Sequence, residues 1–189
     1  MHESLLPEGN GRIPEERGLE LVAEWARKHS LWVIAYGTGC GAIEVPPTMT
    51  SRYDAERFGI TMMATPRQAD VILVTGYVTV KTLKRIIRTY EQMQDPKYVI
   101  GFGSCPINGG MYWDSYNTIK LLDLYIPVDT WIAGCMPRPE SIIQALIHLQ
   151  HKIQRGEATG WKQYKENLDW YRANQRKVIK NWNMPDYNW

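Results

Sequence analysis

Cysteine is scarce in this sequence, with three among 189 residues, and the scarcity limits what the thiols can do. An odd number leaves at least one cysteine outside any internal disulfide, and nothing else in the sequence indicates an oxidising compartment. Structural zinc sites usually contain close ligand pairs such as C-x-x-C, and the sequence has no such pair. A disulfide framework and a zinc finger are therefore disfavoured.

The net charge is also small, and the hydrophobic runs are short. A formal net charge of +2 argues against a nucleic-acid binder that depends on electrostatics. No apolar run approaches the roughly 20 residues that a spanning helix needs. The first nine residues lack a basic segment followed by an apolar one, which is the pattern of a secretory signal. We expect a chain in a thiol-preserving cytosol whose membrane attachment, if any, is indirect.

The aromatic residues are unevenly distributed among types. Only two phenylalanines accompany eight tryptophans and eleven tyrosines. Tryptophan and tyrosine combine an apolar ring with a polar group, and they are enriched at interfaces. This composition favours a protein that is covered by partners or lies beside membrane headgroups.

The pattern along the chain suggests three regions: an arm with an amphipathic helix at 1–29, an α/β domain at 30–156, and an aromatic, basic extension at 157–189. Helical spacing places Leu19, Val22 and Ala26 on one stripe of the first region, which favours packing against protein over lying on a membrane. In the extension, the spacing of Trp161 to Tyr171 also predicts helix.

The central region alternates strand and helix patterns, as βαβ units do. Five short apolar runs predict strands of a parallel sheet that helices cover on both faces. The predicted strands are 32–36, 60–64, 71–75, 98–102 and 130–133, and the predicted helices are 80–93, 115–124 and 139–155.

Each cysteine lies just after one of these strands, in a turn that contains glycine. Cys40 follows the first strand, Cys105 the fourth and Cys135 the fifth. Parallel sheets bind ligands beyond the carboxyl ends of their strands, so three thiols can meet there. Any single cysteine could simply fill the core. All three together favour a shared metal centre, with an iron–sulfur cluster as the leading candidate.

Several longer motifs resemble one known family. They are TSRYDAERFG at 50–59, TPRQADV at 65–71, YEQMQDPK at 90–97, GSC at 103–105 with GGMY at 109–112, and IPVD at 126–129 with GCMPRPE at 134–140. The family comprises the respiratory complex I subunit with the last cluster before quinone, and the small subunits of membrane-bound nickel–iron hydrogenases and related archaeal ion-pumping complexes. The resemblance covers about 30–154.

The resemblance implies a flavodoxin-like fold without flavin, one 4Fe–4S cluster at the sheet edge, and several partners. These are a large catalytic subunit, a ferredoxin-like polycluster subunit and a membrane arm, which together place the chain peripherally on the cytoplasmic face of the cell membrane. By position, Cys40, Cys105 and Cys135 match cluster ligands. Complex I subunits have two adjacent cysteines at the first site, whereas here Gly41 follows Cys40.

The missing thiolate leaves the fourth iron without a cysteine from this chain. Three explanations stay open: a cysteine of the partner subunit, a ligand other than cysteine, or an exchangeable position that binds substrate. Nearby, Glu44 could couple proton uptake to electron arrival, or it could be structural. Arg138 could raise the potential of a neighbouring cluster, or it could pair at a helix start.

Further residues near these motifs have simpler interpretations. Arg52, Asp54 and Arg57 are candidates for ion pairs with a partner subunit. Four methionines are interpreted as adaptable packing: Met49, Met62, Met63 and Met136.

The favoured function is electron transfer in a membrane-bound, ion-pumping respiratory oxidoreductase, with sulfane sulfur or polysulfide as the best candidate acceptor. A proton-reducing nickel–iron hydrogenase and a quinone-reducing, complex I-like enzyme are the alternatives within the superfamily. An FMN-binding flavodoxin-like module is the alternative from another class, although a hydroxyl-rich phosphate loop is not evident. A structural scaffold whose cysteines only fill the core is a further possibility.

Overall fold

The computed structural model describes residues 15–179, and its centre is a five-stranded sheet in which every pairing is parallel. The strand order is β2-β1-β3-β4-β5, a doubly wound order of the flavodoxin type. The predicted α/β fold is therefore confirmed. The strands are β1 Leu31–Gly37, β2 Ile60–Met62, β3 Val71–Thr75, β4 Tyr98–Phe102 and β5 Thr130–Ile132.

Seven α-helices accompany the sheet within this part of the chain. They are α1 Glu15–His29, α2 Gly41–Thr48, α3 Val80–Gln92, α4 Ser104–Asn108, α5 Pro139–Gln154, α6 Gly160–Glu166 and α7 Leu168–Val178. Three short 3-10 turns lie at Ala55–Phe58, Gly110–Tyr112 and Leu122–Leu124. None of the described helices is long and apolar enough to cross a membrane.

The two faces of the sheet carry separate hydrophobic cores. Along β3, Val71 and Leu73 point to one face and Ile72 and Val74 to the other, as the two-residue period of a strand requires. The first core contains α5 and part of α2, whereas the second contains α3 with side chains of α6 and α7. Because both faces are covered, β3 and β4 are buried throughout.

Local signals explain where the two long central helices begin. Thr79 accepts a hydrogen bond from the Thr82 backbone N–H while the Thr82 hydroxyl accepts one from the Thr79 backbone, so α3 starts with a capping box. Helix α5 starts at Pro139, where the missing N–H costs nothing, and has His151 and Lys152 in its last turn.

The predicted helix at 115–124 is wrong. Thr118 forms an antiparallel bridge with Thr79, the Ile119 N–H donates to Val78 O, and the Val80 N–H donates to Asn117 O. Backbone groups that a helix would use are thus taken by the segment before α3. Leu121 has a positive φ of 61°, which ends any helical continuation there.

The terminal helices pack on different parts of the α/β domain. Helix α1 lies against α5, and Lys28 Nζ donates to Gln154 Oε1 at 2.7 Å. Its side chains Leu19, Val22 and Trp25 are nevertheless 70%, 64% and 63% exposed, so they do not pack on the core that residues 15–179 form. The predicted helix near Trp161 to Tyr171 is present as α6 and α7, which meet at Asn167, and Tyr164 and Tyr171 enter the second core.

Candidate metal centre

The three cysteines lie at one edge of the sheet, beyond the carboxyl ends of the strands, as predicted. Cys40 follows β1, Cys105 lies in α4 directly after β4, and Cys135 follows β5. Strands β4 and β5 are neighbours, whereas β3 separates β1 from β4. With strands about 4.8 Å apart, the chain leaves β1 about 10 Å from where it leaves β4.

Hydrogen bonds join the loops that carry Cys105 and Cys135. The Gly103 N–H donates to Ile132 O at 2.8 Å, and the Ser104 N–H donates to Gly134 O at 2.8 Å. The Ser104 hydroxyl reaches the same carbonyl at 3.0 Å. The pairing of β4 with β5 therefore continues past both strands, and it fixes the two backbones next to each other.

The loop before Cys40 is attached to the end of β3. The Thr38 N–H donates to Thr75 O at 3.1 Å, the Thr38 hydroxyl binds the same oxygen, and the Thr75 hydroxyl donates to Tyr36 O at 3.2 Å. The Gly76 N–H then donates to Phe102 O at 3.3 Å, which extends the connection to β4. All three cysteine-bearing loops thus share one hydrogen-bonded framework.

Gly41 is buried where α2 begins, and it lies close to the end of β3. A Cβ atom there would lie 2.4 Å from Thr75 Cβ and 3.0 Å from the Gly76 nitrogen. Glycine in turns often has a left-handed backbone, but Gly41 is helical. The constraint on this position is therefore steric. A cysteine at 41 would therefore have to displace α2 or β3.

The charges of the other two cysteines act on the Cys105 thiol. Burial raises the pKa of the Cys105 thiol, and negative charge on Cys135 and Cys40 raises it further. The Met111 backbone N–H donates to this thiol and lowers the pKa. Gly110 permits this approach, because a Cβ there would lie 3.0 Å from Cys105 Sγ. Cys40 and Cys135 are exposed.

The donor set fits an iron–sulfur group better than it fits a bare ion. Within residues 15–179, no three or more His, Cys, Asp and Glu side chains are arranged to hold a metal ion as they stand. Three thiols with a backbone N–H directed at one sulfur are nevertheless the ligand chemistry that such clusters use.

The other predicted residues occupy different places around this edge. Glu44 is half-buried in the first turn of α2. Arg138 is exposed and is the residue that precedes α5. Arg52 and Arg57 are exposed and cover the rings of Tyr53 and Phe58. The four methionines are partly buried against the two cores, in line with the packing interpretation: Met49, Met62, Met63 and Met136.

Two pairs beside the site were missed by sequence reasoning. The rings of Tyr77 and Tyr112 meet edge to face at 5.1 Å, and the Tyr77 ring lies against Gly39. On the other side, the Tyr53 hydroxyl donates to Glu140 Oε1 at 3.1 Å. The Glu140 backbone N–H, the Tyr53 hydroxyl, Arg138 and Arg52 lower the pKa of the Glu140 carboxyl. Tyr77 follows β3 closely and Glu140 stands at the start of α5, but nothing in the sequence signals Tyr112 and Tyr53 as their partners.

Large apolar side chains are exposed near the cysteines. Met111, Trp113 and Tyr116 follow Cys105 and are 69%, 65% and 101% exposed, and Ile43 in α2 is 72% exposed. Such a concentration of exposed apolar side chains around a polar site is typical of a surface that another protein covers.

Comparison with known protein families gives one consistent result. The sequence model of the family described as NADH ubiquinone oxidoreductase, 20 Kd subunit, matches residues 38–149. The chloroplastic NAD(P)H-quinone oxidoreductase subunit K of Fagopyrum esculentum subsp. ancestrale is 42% identical over 160 residues, which are 84% of this chain and 68% of that protein. The Oryza sativa protein of the same name is 47% identical over 138 residues, 72% of this chain and 61% of its own length.

Comparison with solved structures adds a higher identity. A chain in the structure of the membrane-bound sulfane sulfur reductase, described as an archaeal respiratory membrane complex, is 62% identical. The similarity covers 85% of this chain and 90% of that chain, with a TM-score of 0.82.

Proposed function

Because the chain belongs to the family of the NADH ubiquinone oxidoreductase 20 Kd subunit, we propose that it carries electrons within a membrane-bound, ion-pumping respiratory oxidoreductase. It is a subunit of an oxidoreductase complex, related both to complex I-like enzymes and to nickel–iron hydrogenase small subunits. The proposed acceptor is sulfane sulfur or polysulfide.

The 62% identity to a chain of the sulfane sulfur reductase is the observation that carries this choice. The chloroplastic quinone-reductase subunits are 42% and 47% identical over shorter parts of their own length. Gly41 supports the same choice, because this edge supplies three thiols and the close packing at 41 leaves no space for a fourth.

The proposed cofactor is one 4Fe–4S cluster held by Cys40, Cys105 and Cys135, with the fourth iron ligand not supplied by a cysteine of this chain. Such a group supplies one-electron transfer. The Met111 N–H stabilises negative charge on the Cys105 sulfur. Arg138 adds positive charge at the edge, and Glu44 is the proposed proton carrier.

The proposed partners follow from the exposed surfaces and the relatives. Met111, Trp113 and Tyr116 would contact the large catalytic subunit, which must meet the cysteine edge to receive electrons. A ferredoxin-like polycluster subunit would deliver them, and membrane-arm subunits would hold the chain at the cytoplasmic face of the cell membrane. A proton-reducing hydrogenase and a quinone-reducing enzyme remain the alternative complexes, and an FMN module remains the alternative from another class.

The test is a pair of variants at one position, Gly41→Cys and Gly41→Ala, in the intact complex purified without oxygen. Both add the same Cβ atom against Thr75, so Gly41→Ala measures the steric penalty of that atom, which Gly41→Cys also carries. Only Gly41→Cys adds a thiol. If the fourth iron position is open and functional, the rate of sulfane sulfur reduction should fall at least tenfold further in Gly41→Cys than in Gly41→Ala. The two variants should have equal iron content. A tenfold difference in rate corresponds to roughly 1.4 kcal/mol.

Controls separate the alternatives. Equal activity of the two variants would remove any catalytic role from the missing cysteine. Hydrogen evolution or quinone reduction by the unmodified complex, without sulfur reduction, would overturn the proposed acceptor. A two-peaked yellow flavin spectrum in place of a broad brown absorbance would overturn the cofactor.

A further inference from the structure

A cavity of about 590 Å³ lies at the opposite edge of the sheet from the cysteines. It is bounded by the end of α3, by the segment 94–97 before β4, and by α6 and α7. We call it the amino-edge cavity, because it lies where the strands begin. A strand of five residues rises about 3.3 Å per residue, so the cavity is on the order of 15 Å from the cysteine edge.

The lining of the amino-edge cavity is rich in positive charge. Five basic side chains line it: Arg67, Lys97, Lys165, Arg172 and Arg176. Three acidic side chains accompany them, and two of these are already paired. Arg172 binds Glu91 at 2.7 Å and Lys165 binds Asp95 at 2.5 Å. The lining therefore has an excess of two positive charges, and exposed Lys165 and Arg176 belong to it.

The cavity wall also contains one buried acceptor that lacks a donor. Glu91 Oε1 accepts from the Tyr164 hydroxyl at 3.2 Å and from Arg172, whereas the buried Oε2 has no hydrogen-bond partner among residues 15–179. Burial raises the pKa of the Glu91 carboxyl, because a buried carboxylate is less stable than a solvated one. A small rotation of the carboxylate would offer it to a donor in the cavity, and Asp169 is a second acceptor on the lining.

This mixture of groups restricts the occupant. An inorganic anion offers acceptors to the arginines but few donors to Glu91, and it would fill only a small part of 590 Å³. An extended acidic peptide segment offers carboxylates to the basic rim and backbone N–H groups to the acceptors. The volume suits several side chains.

We propose that the amino-edge cavity is a docking site for an acidic, extended segment of another subunit, separate from the catalytic contact at the cysteine edge. The source of the segment rests on the proposed function, which places the chain in a multisubunit complex. The ligand chemistry, carboxylates beside exposed N–H groups, rests on the cavity alone.

The experiment places a photo-crosslinking amino acid at position 173 or at position 177 of the full chain in the purified complex. Ala173 lines the cavity and is exposed, whereas Lys177 is exposed on the same helix but outside the lining. We expect the adduct from 173 to map by mass spectrometry to an Asp- and Glu-rich segment of another subunit. The adduct from 177, one helical turn further along and outside the lining, should map to that segment in lower yield.

A matched charge reversal tests the electrostatic part. Arg176→Glu and Lys177→Glu change the net charge equally, at adjacent residues in the last turn of α7. Arg176→Glu should lower the yield of the 173 adduct roughly threefold to tenfold, as expected for one or two exposed ion pairs. Lys177→Glu should leave that yield within twofold, and added salt should reduce it in the unmodified complex.

Three results would overturn the proposal: no intersubunit adduct from 173, an adduct in a segment without acidic residues, or protection of α7 from hydrogen exchange by inorganic phosphate alone. The last would identify a small-anion site instead. A negative crosslinking result would not change the assays of the electron acceptor, and a negative sulfur assay would not change the crosslink map. Each proposal can therefore be refuted independently of the other.

Discussion

The ion pair between Glu91 and Arg172 is the contact whose removal has the largest expected effect on the attachment of α7. Its atoms are 2.7 Å apart, and the side chains are 6% and 11% exposed. Arg172→Met removes the guanidinium while keeping much of the apolar volume, and it leaves a buried carboxylate without its cation. Breaking a buried pair in this way costs about 3–5 kcal/mol.

Hydrogen exchange of the intact complex measures this loss locally. If α7 opens by local unfolding, 3–5 kcal/mol corresponds to amide exchange about one hundred to several thousand times faster in 160–179. Lys177→Met is the matched control on the same helix, since Lys177 is exposed and should cost less than about 0.5 kcal/mol. Replacing both partners, Glu91→Gln with Arg172→Met, should recover a large part of the loss.

The pH dependence has a definite sign. Burial raises the pKa of Glu91 although Arg172 lowers it, so the folded chain holds this proton more tightly than the unfolded chain. The free energy of unfolding therefore falls as pH rises from the pKa of Glu91 in the unfolded chain to its higher pKa in the folded chain. Without Arg172 the pKa rises further, so the deficit of Arg172→Met should grow with pH and shrink on acidification. A deficit independent of pH, or exchange in 160–179 no faster than in the control, would refute this account.

Two further predictions concern the opposite edge and the sheet. The proposed cluster should be lost or converted when any one of its three proposed ligands is replaced by Ala in the complex: Cys40, Cys105 or Cys135. The change should appear in the paramagnetic resonance signal of the reduced state. Wild-type spectra and iron content in all three variants would exclude these cysteines as ligands. Gly101→Ala should speed exchange in β4 and β5 by the equivalent of about 1–3 kcal/mol, because its Cβ would lie 2.3 Å from Trp131 Cζ3. Adding Trp131→Ala should relieve that clash, and an equal effect with and without it would contradict the steric reason.

Much of the sheet could be predicted because apolar runs and strands coincide. Strand β4 has the predicted bounds, and α5 ends one residue from the prediction. The convergence of the three cysteine-bearing turns followed from parallel topology, which places the carboxyl ends of strands together.

Sequence-based prediction failed where tertiary contacts or backbone hydrogen bonds outweighed the local sequence pattern. Helix α2 contains Pro46 and Pro47, which sequence reasoning treats as helix breakers, yet both lie in the last turns of a short helix. The segment at 115–124 has helical spacing, but its backbone bonds to residues before α3. The amino-edge cavity was not predictable, because Arg67, Glu91 and Arg172 come from distant parts of the chain.

The hydrogen bonds that continue past the strand ends have a consequence for assembly. Because the loops of Cys105 and Cys135 are joined at Ser104 and Gly134, and Gly76 joins β3 to β4, the sheet sets the spacing of the backbones before any metal arrives. Loading of the proposed cluster would then take place on backbones that are already connected to one another. A redox group held by such a framework would change shape little when its charge changes, so little reorganisation would oppose each electron that it passes.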